Sequence, residues 1–171
     1  TPAHCIMHCA CGEADCVPTT ALHIAALHGN LQTMRLLCNA TSLLAQDKDG
    51  DTPLHAAILL NRFDGAKLFI EFHHNNGISL EVRNKRGQTP LLIAATKGIT
   101  SLGQQLVDAG TNLTATDREG DDALATAVYY NRADFVDWLL SLPEGRRPDL
   151  AHANTHGIKA LDYAVVKNAE T

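Results

Sequence analysis

Thiols and imidazoles crowd the start of this chain. Cys5, Cys9, Cys11 and Cys16 fall within twelve residues, with His4 and His8 among them. Thiolate and imidazole are the usual ligands of zinc, which needs four of them converging in a tetrahedron. The spacing here is C-x3-C-x-C-x4-C, without the paired C-x2-C knuckles, and one local cluster leaves little chain to wrap an ion. Two readings stand. One is a metal- or redox-responsive segment built on these four cysteines. The other is a cut-down helical half-unit, in which free cysteines pack as small buried residues. The odd total of five, with Cys38 read as core in a second helix, argues against a disulfide framework. The half-unit is the expectation, and no metal or cofactor is assigned.

Other reactive residues do not assemble into a motif. The nine histidines include His28 at a helix end, His73-His74 in a polar stretch read as a loop, and His152 and His156 flanking a turn. None belongs to an H-E-x-x-H helix or pairs with C-x-x-C, and neither a G-x-S-x-G elbow nor a phosphate-cradling glycine loop is present. Asp121-Asp122 is a carboxylate pair, but it stands at a helix start, where the backbone dipole favours negative charge. It reads as a solvated cap. No catalytic residue is assigned, and the chain is not expected to be an enzyme.

What positions these residues is a repeated phrase. Thr52-Pro53-Leu54-His55-Ala56-Ala57 is its cleanest copy. The stretches from Thr20, Thr89, Asp122 and Lys159 echo it. Five residues before each copy stands Asp15, Asp47, Asn84, Asp117 or Asn154, at intervals of 32, 37, 33 and 37 by subtraction. Gly50, Gly87, Gly120 and Gly157 lie two residues before the last four copies, with Pro18 in that place before the first. Asp or Asn caps its own backbone in a tight turn, and Gly supplies positive φ. Thr then caps a helix, and Pro at the first helical position loses no hydrogen bond. A second apolar segment follows each copy: Leu31 to Leu37, Ala66 to Phe72, Leu102 to Ala109, Phe135 to Leu140. One such hairpin cannot bury its own apolar faces, whereas stacked neighbours share a core.

The phrase Asp/Asn-x-x-Gly-x-Thr-Pro-Leu-His resembles the ankyrin repeat, over residues 15 to 168. The resemblance implies an all-α solenoid of helix-turn-helix units with β-hairpin-like finger loops. One domain over 1–171 is expected: a Cys-rich partial cap at 1–14, full repeats at 15–46, 47–83, 84–116 and 117–153, and a partial repeat at 154–171. The motif histidine, present as His23 and His55, becomes Leu92, Ala125 and Asp162 later. The resemblance implies that this His ties one unit to the next, so apolar packing is expected to hold the later units. The two longer intervals place extra length in 71–83 and 141–153. Asn75-Asn76-Gly77 and Pro143 to Pro148 mark both as longer loops.

Composition bounds the partner. The formal net charge is −5, and the densest basic group is the single fingertip of Arg83, Lys85 and Arg86. A nucleic-acid surface requires clustered cations, so none is expected. No apolar run approaches the ~20 residues that cross a bilayer, and no secretory leader stands at the start. A cytoplasmic or nuclear protein is expected, without membrane or small-molecule partner. The chain opens at Thr1 and its last unit stops near the end of one helix, so a piece of a longer protein is expected.

The resemblance also implies where a protein partner would sit. The fingertip pairs are Lys48 and Asp49, Lys85 and Arg86, and Arg118 and Glu119, with Cys16-Val17 and Thr155-His156 at the ends. Asp51, Gln88 and Asp121 precede the Thr positions. The helix-end pairs are Leu27 and His28, Leu59 and Leu60, Thr96 and Lys97, Tyr129 and Tyr130, and Val166 and Lys167. Places that normally face water are unexpectedly apolar here, and a contiguous exposed apolar patch marks a contact site. The alternative is that these side chains tuck under the longer loops. An aromatic cage requires several convergent rings, and only two tyrosines stand in place. Trp138 reads as core. The expected function is a non-catalytic protein-interaction module, with the metal-responsive protein and an architectural segment of a larger chain as alternatives. Similarity to ankyrin proteins that regulate kinases or mask transcription factors extends only to fold and size, which does not select between them.

Overall fold

The computed structural model describes residues 20–169, with side chains to Val166. The cysteine segment therefore lies outside the described residues, as do Asp15, Cys16-Val17 and Pro18. Among the described residues ten helices follow one another: α1 (Ala21–His28), α2 (Leu31–Leu37), α3 (Ala40–Leu44), α4 (Pro53–Leu59), α5 (Phe63–Asn75), α6 (Pro90–Lys97), α7 (Thr100–Asp108), α8 (Ala123–Tyr129), α9 (Ala133–Ser141) and α10 (Ala160–Ala169). They form an all-α solenoid of two layers. In one, α1 packs on α4, α4 on α6, α6 on α8 and α8 on α10. In the other, α2 packs on α5, α5 on α7 and α7 on α9.

The repeated phrase acts as its chemistry requires. Thr20, Thr52, Thr89 and Asp122 each cap an inner helix by accepting from the backbone N–H three residues on. Each such cap contributes about 1 kcal/mol. Pro53 and Pro90 occupy the first turn of α4 and α6. In the fingers, one oxygen of Asp47 accepts from the N–H groups of Asp49 and Asp51, both at 2.9 Å. Asn84, Asp117 and Asn154 repeat the arrangement. Gly50, Gly87, Gly120 and Gly157 follow with φ of 77°, 78°, 84° and 75°. Among the described residues the fingers carry only an isolated antiparallel bridge, Ala153 to Lys159.

Leu22, Leu54, Leu91 and Leu124, one in each of α1, α4, α6 and α8, are buried together with Ala25, Ala57, Ala94 and Ala127. Met34, Phe69, Leu106 and Phe135 fill the space from the outer layer. Trp138 is half-buried against this core, edge-on to Phe135 at 5.0 Å. Two local expectations need correction. Cys38 lies one residue past α2, as its half-buried C-cap, rather than within the helix. The extra residues of the second unit do not all form a loop, because α5 runs on to Asn75. The apolar spacing Ala66, Phe69, Ile70, His73 continues one helical face, and burial of that face outweighs the polar residues between. His73 and His74 are consequently helical, and His73 is buried.

Units are also joined by more than apolar packing, which corrects the expectation for the later ones. His23 Nε2 donates to the carbonyl of Asp51 at 2.8 Å, and His55 Nε2 to that of Gln88 at 3.1 Å. Beyond them the fingers carry the polar contacts. Asn84 donates to the Asp51 carboxylate (2.8 Å), Asn154 to that of Asp121 (2.9 Å), and Arg83 to the carbonyl of Thr116. The Thr155 N–H donates to the carbonyl of Glu119 at 2.9 Å. Stacked fingers pair backbone groups whether or not the motif histidine bridges the same joint: beside His55, the Lys85 N–H donates to the carbonyl of Asp49 at 2.9 Å.

Candidate partner-binding face

The surface with the most unusual chemistry lies at the C-terminal ends of the inner helices. Leu27, Leu59, Leu60, Tyr129 and Tyr130 are each 36% to 45% exposed. Leu60 and Tyr130 are the C-caps of α4 and α8. The next residues, Asn61 and Asn131, turn the chain with φ of 56° and 55°, which Asn tolerates through its short polar side chain. His28 is also exposed. Thr96 and Lys97, in the same place on α6, are half-buried, and the Thr96 hydroxyl donates to the Leu92 carbonyl at 3.0 Å. The apolar row is therefore divided into a leucine group on α1 and α4 and a tyrosine group on α8. Val166 is exposed on α10; the Lys167 side chain lies outside the described residues.

Fingertip residues Lys48, Asp49, Lys85, Arg86, Arg118, Glu119, Thr155 and His156 are all exposed. The positions before the caps differ. Asp51, expected to face a partner, is buried, its carboxylate held by Asn84 and its carbonyl by His23. Burial pushes its pKa up, opposed by the Asn84 hydrogen bond. Asp51 belongs to the joint between units. Gln88 is half-buried with its carbonyl engaged by His55.

Asp121 and Asp122 do not form a dyad. Asp122 is a buried cap rather than a solvated one, accepting from the Ala125 N–H at 2.8 Å, and burial raises its pKa. Asp121 turns the other way. It accepts from Asn154 and, at 3.3 and 3.2 Å, from the Tyr163 hydroxyl. The Tyr163 phenol is pushed up to about 12 by burial and by the Asp121 charge. Among the described residues no three His, Cys, Asp or Glu side chains converge to hold a metal ion, and no helix is long and apolar enough to cross a membrane.

Tyr163 is the residue that sequence reasoning missed. Its ring stands edge-on to Tyr129, 5.2 Å between centroids at 74°, and Tyr129 stands edge-on to Tyr130, 5.0 Å at 82°. The three rings border a cavity of about 460 Å³. Its other walls are Lys85, Arg86, Gln88, Asp117, Arg118, Glu119, Asp121 and Thr126. The available signal was register: Tyr163 follows Lys159 by four residues, as Thr126 follows Asp122. A large ring one unit beyond a small side chain at the same helical position leaves a recess between them.

Comparison with known proteins bears on what this face is for. The family model described as ankyrin repeats (3 copies) matches residues 3–79 and 69–152. Notch homolog protein 1 of Xenopus laevis is 33% identical over 129 residues, 75% of this chain and 5% of that protein. The B-cell lymphoma 3 protein homolog of Mus musculus is 28% identical over 156 residues, 86% of this chain and 35% of that protein. The human B-cell lymphoma 3 protein is 32% identical over 119 residues, 70% of this chain and 26% of that protein. The chain thus spans from 5% to 35% of the length of these relatives.

Proposed function

From the premise that this chain belongs to the ankyrin-repeat family, whose repeats are protein-interaction modules, we propose that it is a rigid binding surface for a protein or an extended peptide. The contact runs along the helix ends and fingertips: Leu27, His28, Leu59, Leu60, Thr96, Lys97, Tyr129 and Tyr130, with Lys48, Asp49, Lys85, Arg86, Gln88, Arg118, Glu119 and Asp121. The observation that carries this reading is the exposure of two apolar groups on one side of the stack, each side chain left 36% to 45% open. Tyrosine in such a place gives a large anchor at small entropic cost. Mixed charge on the fingertips would steer and orient the partner. The protein acts without catalysis, as a cytoplasmic or nuclear regulator, with unit boundaries at 47, 84, 117 and 154 setting the spacing of its contacts.

Affinity capture with quantitative mass spectrometry tests this. Leu60→Ser and Tyr130→Ser should each lose partners retained by the parent chain. Leu36→Ser, on the outer layer at an 87% exposed position, should retain them. Unchanged capture by both inner-face variants would rule the face out.

A further inference from the structure

The cavity beside the tyrosines has a chemistry narrower than that of the whole face. Tyr129 stands near-perpendicular to Tyr130 on one side and to Tyr163 on the other. Aromatic faces carry the negative end of the ring quadrupole, so walls of this kind attract a cation. Tyr163 cannot swing away: its hydroxyl donates to Asp121 and accepts from Asn154 at 2.9 Å. Donating to a carboxylate also enriches the ring in electron density. The Asp121 carboxylate, half-buried at the cavity wall, receives only neutral donors among the described residues, from Asn154 and Tyr163. Below them lies Thr126, 4% exposed, whose shielded hydroxyl has no hydrogen-bond partner among the described residues. A helical threonine usually bonds the carbonyl four residues back, as Thr96 does. Thr126 lines the floor of the cavity with its oxygen shielded, so the small side chain supplies room for a ligand and no polar contact.

Resting on the binding-module reading above, we propose that this corner receives an arginine side chain of the partner. Guanidinium is flat and stacks on aromatic faces, and its several N–H groups pair with a carboxylate at two points. A trimethylated ammonium has no N–H to give Asp121, and a lysine ammonium has no plane to lay on a ring. The finger wall adds a second requirement. Lys85, Arg86 and Arg118 border the same cavity beside Asp117 and Glu119, so the finger wall offers cations to an acid as well as carboxylates to an arginine. The segment that satisfies both walls therefore carries an acidic residue close to its arginine.

The test uses the full chain, isotope-labelled, and three blocked peptides read by NMR titration. The first is acetyl-Gly-Asp-Gly-Arg-Gly-amide. The second replaces its arginine by citrulline, a neutral isostere, and the third by lysine. The arginine peptide should shift the amides around Tyr129 and Tyr163. The citrulline peptide should bind about 5- to 30-fold more weakly, the range of one desolvated cation–π contact. Asp121→Asn and Tyr163→Leu should each remove the preference for arginine over citrulline, while Leu60→Ser leaves it intact. Absence of binding, equal binding of arginine and citrulline, or equal binding of lysine would overturn the proposal. The parent reading fails separately: if Leu60→Ser and Tyr130→Ser both keep every captured partner, the face is wrong whatever the peptides do.

Discussion

Arg132 lies across Gly98. The arginine begins the outer helix of the fourth unit, and its Nε donates to the carbonyl of Thr96 at 2.8 Å, back in the third. A Cβ built on Gly98 would come within 2.8 Å of the Arg132 Cδ. Arg62 repeats the contact one pair of units earlier, donating to Leu27 at 3.1 Å over Gly29. Units thus alternate between a glycine that is covered and an Asn-Arg pair that covers it. Arg132→Ala should cost about 1 kcal/mol, the usual worth of such a hydrogen bond. Gly98→Ala, at φ 73°, should cost about 1–2 kcal/mol, and less once Arg132 is already alanine. Urea denaturation of the double-mutant cycle measures the coupling; additive costs would show that the two do not act together.

Stability should fall in mild acid through His55. Its Nδ1 accepts the Thr52 N–H at 3.1 Å, so the ring hydrogen sits on Nε2 and donates to Gln88. Burial lowers its pKa to about 4, from 6.5. The folded ring stays neutral while the unfolded one gains a proton, so its contribution is complete above pH 6.5 and declines towards pH 4. That decline is worth about 3 kcal/mol. His73, also lowered by burial, acts in the same direction. Asp51, Asp117 and Asp122, raised by burial, act against it at the acid end. His55→Leu, placing at this position the residue that Leu92 supplies in the next unit, should flatten urea midpoints between pH 7 and pH 5. An unchanged slope would remove His55 as the cause.

The last unit should loosen alone when its polar joint is cut. Tyr163→Phe removes the donor to Asp121 and keeps the ring. Because stability in a stack is a sum of neighbour terms, the loss of about 1 kcal/mol should stay local. Hydrogen exchange should quicken in α10 and remain unchanged in α4 and α6. Uniform quickening would mean that the stack opens as one body.

The local phrase was legible because each of its residues serves its own backbone. Thr52, Asp47 and Gly50 act within a few positions of themselves, so type and spacing were enough. Contacts between units were less legible, since they depend on which residues meet 33 or 37 positions apart. By type and place Asp51 reads as a surface acid, and only Asn84 beside it makes it part of the joint between units. A signal existed: fingers led by Asn, at Asn84 and Asn154, each face an aspartate 33 residues earlier, Asp51 and Asp121. Tyr163 was overlooked for a related reason. Its ring matters only because the preceding unit offers Thr126 in that position and Tyr129 at the helix end.

Finger stacking can be separated from backbone conformation by two glycines. Gly87 and Gly157 share nearly the same φ, 78° and 75°. A Cβ at Gly87 would lie 2.8 Å from the Arg118 backbone nitrogen, which cannot move aside without parting the fingers. At Gly157 nothing lies within 4 Å. Alanine at either position incurs the left-handed penalty of about 1–2 kcal/mol. Only Gly87→Ala should also disturb the next finger, where the Arg118 N–H donates to the Arg86 carbonyl at 3.3 Å. Gly87→Ala should therefore be the more destabilising in urea and should shift the Arg118 amide resonance, whereas Gly157→Ala should change only its own finger. Equal costs would mean that close approach between fingers adds nothing to the conformational demand.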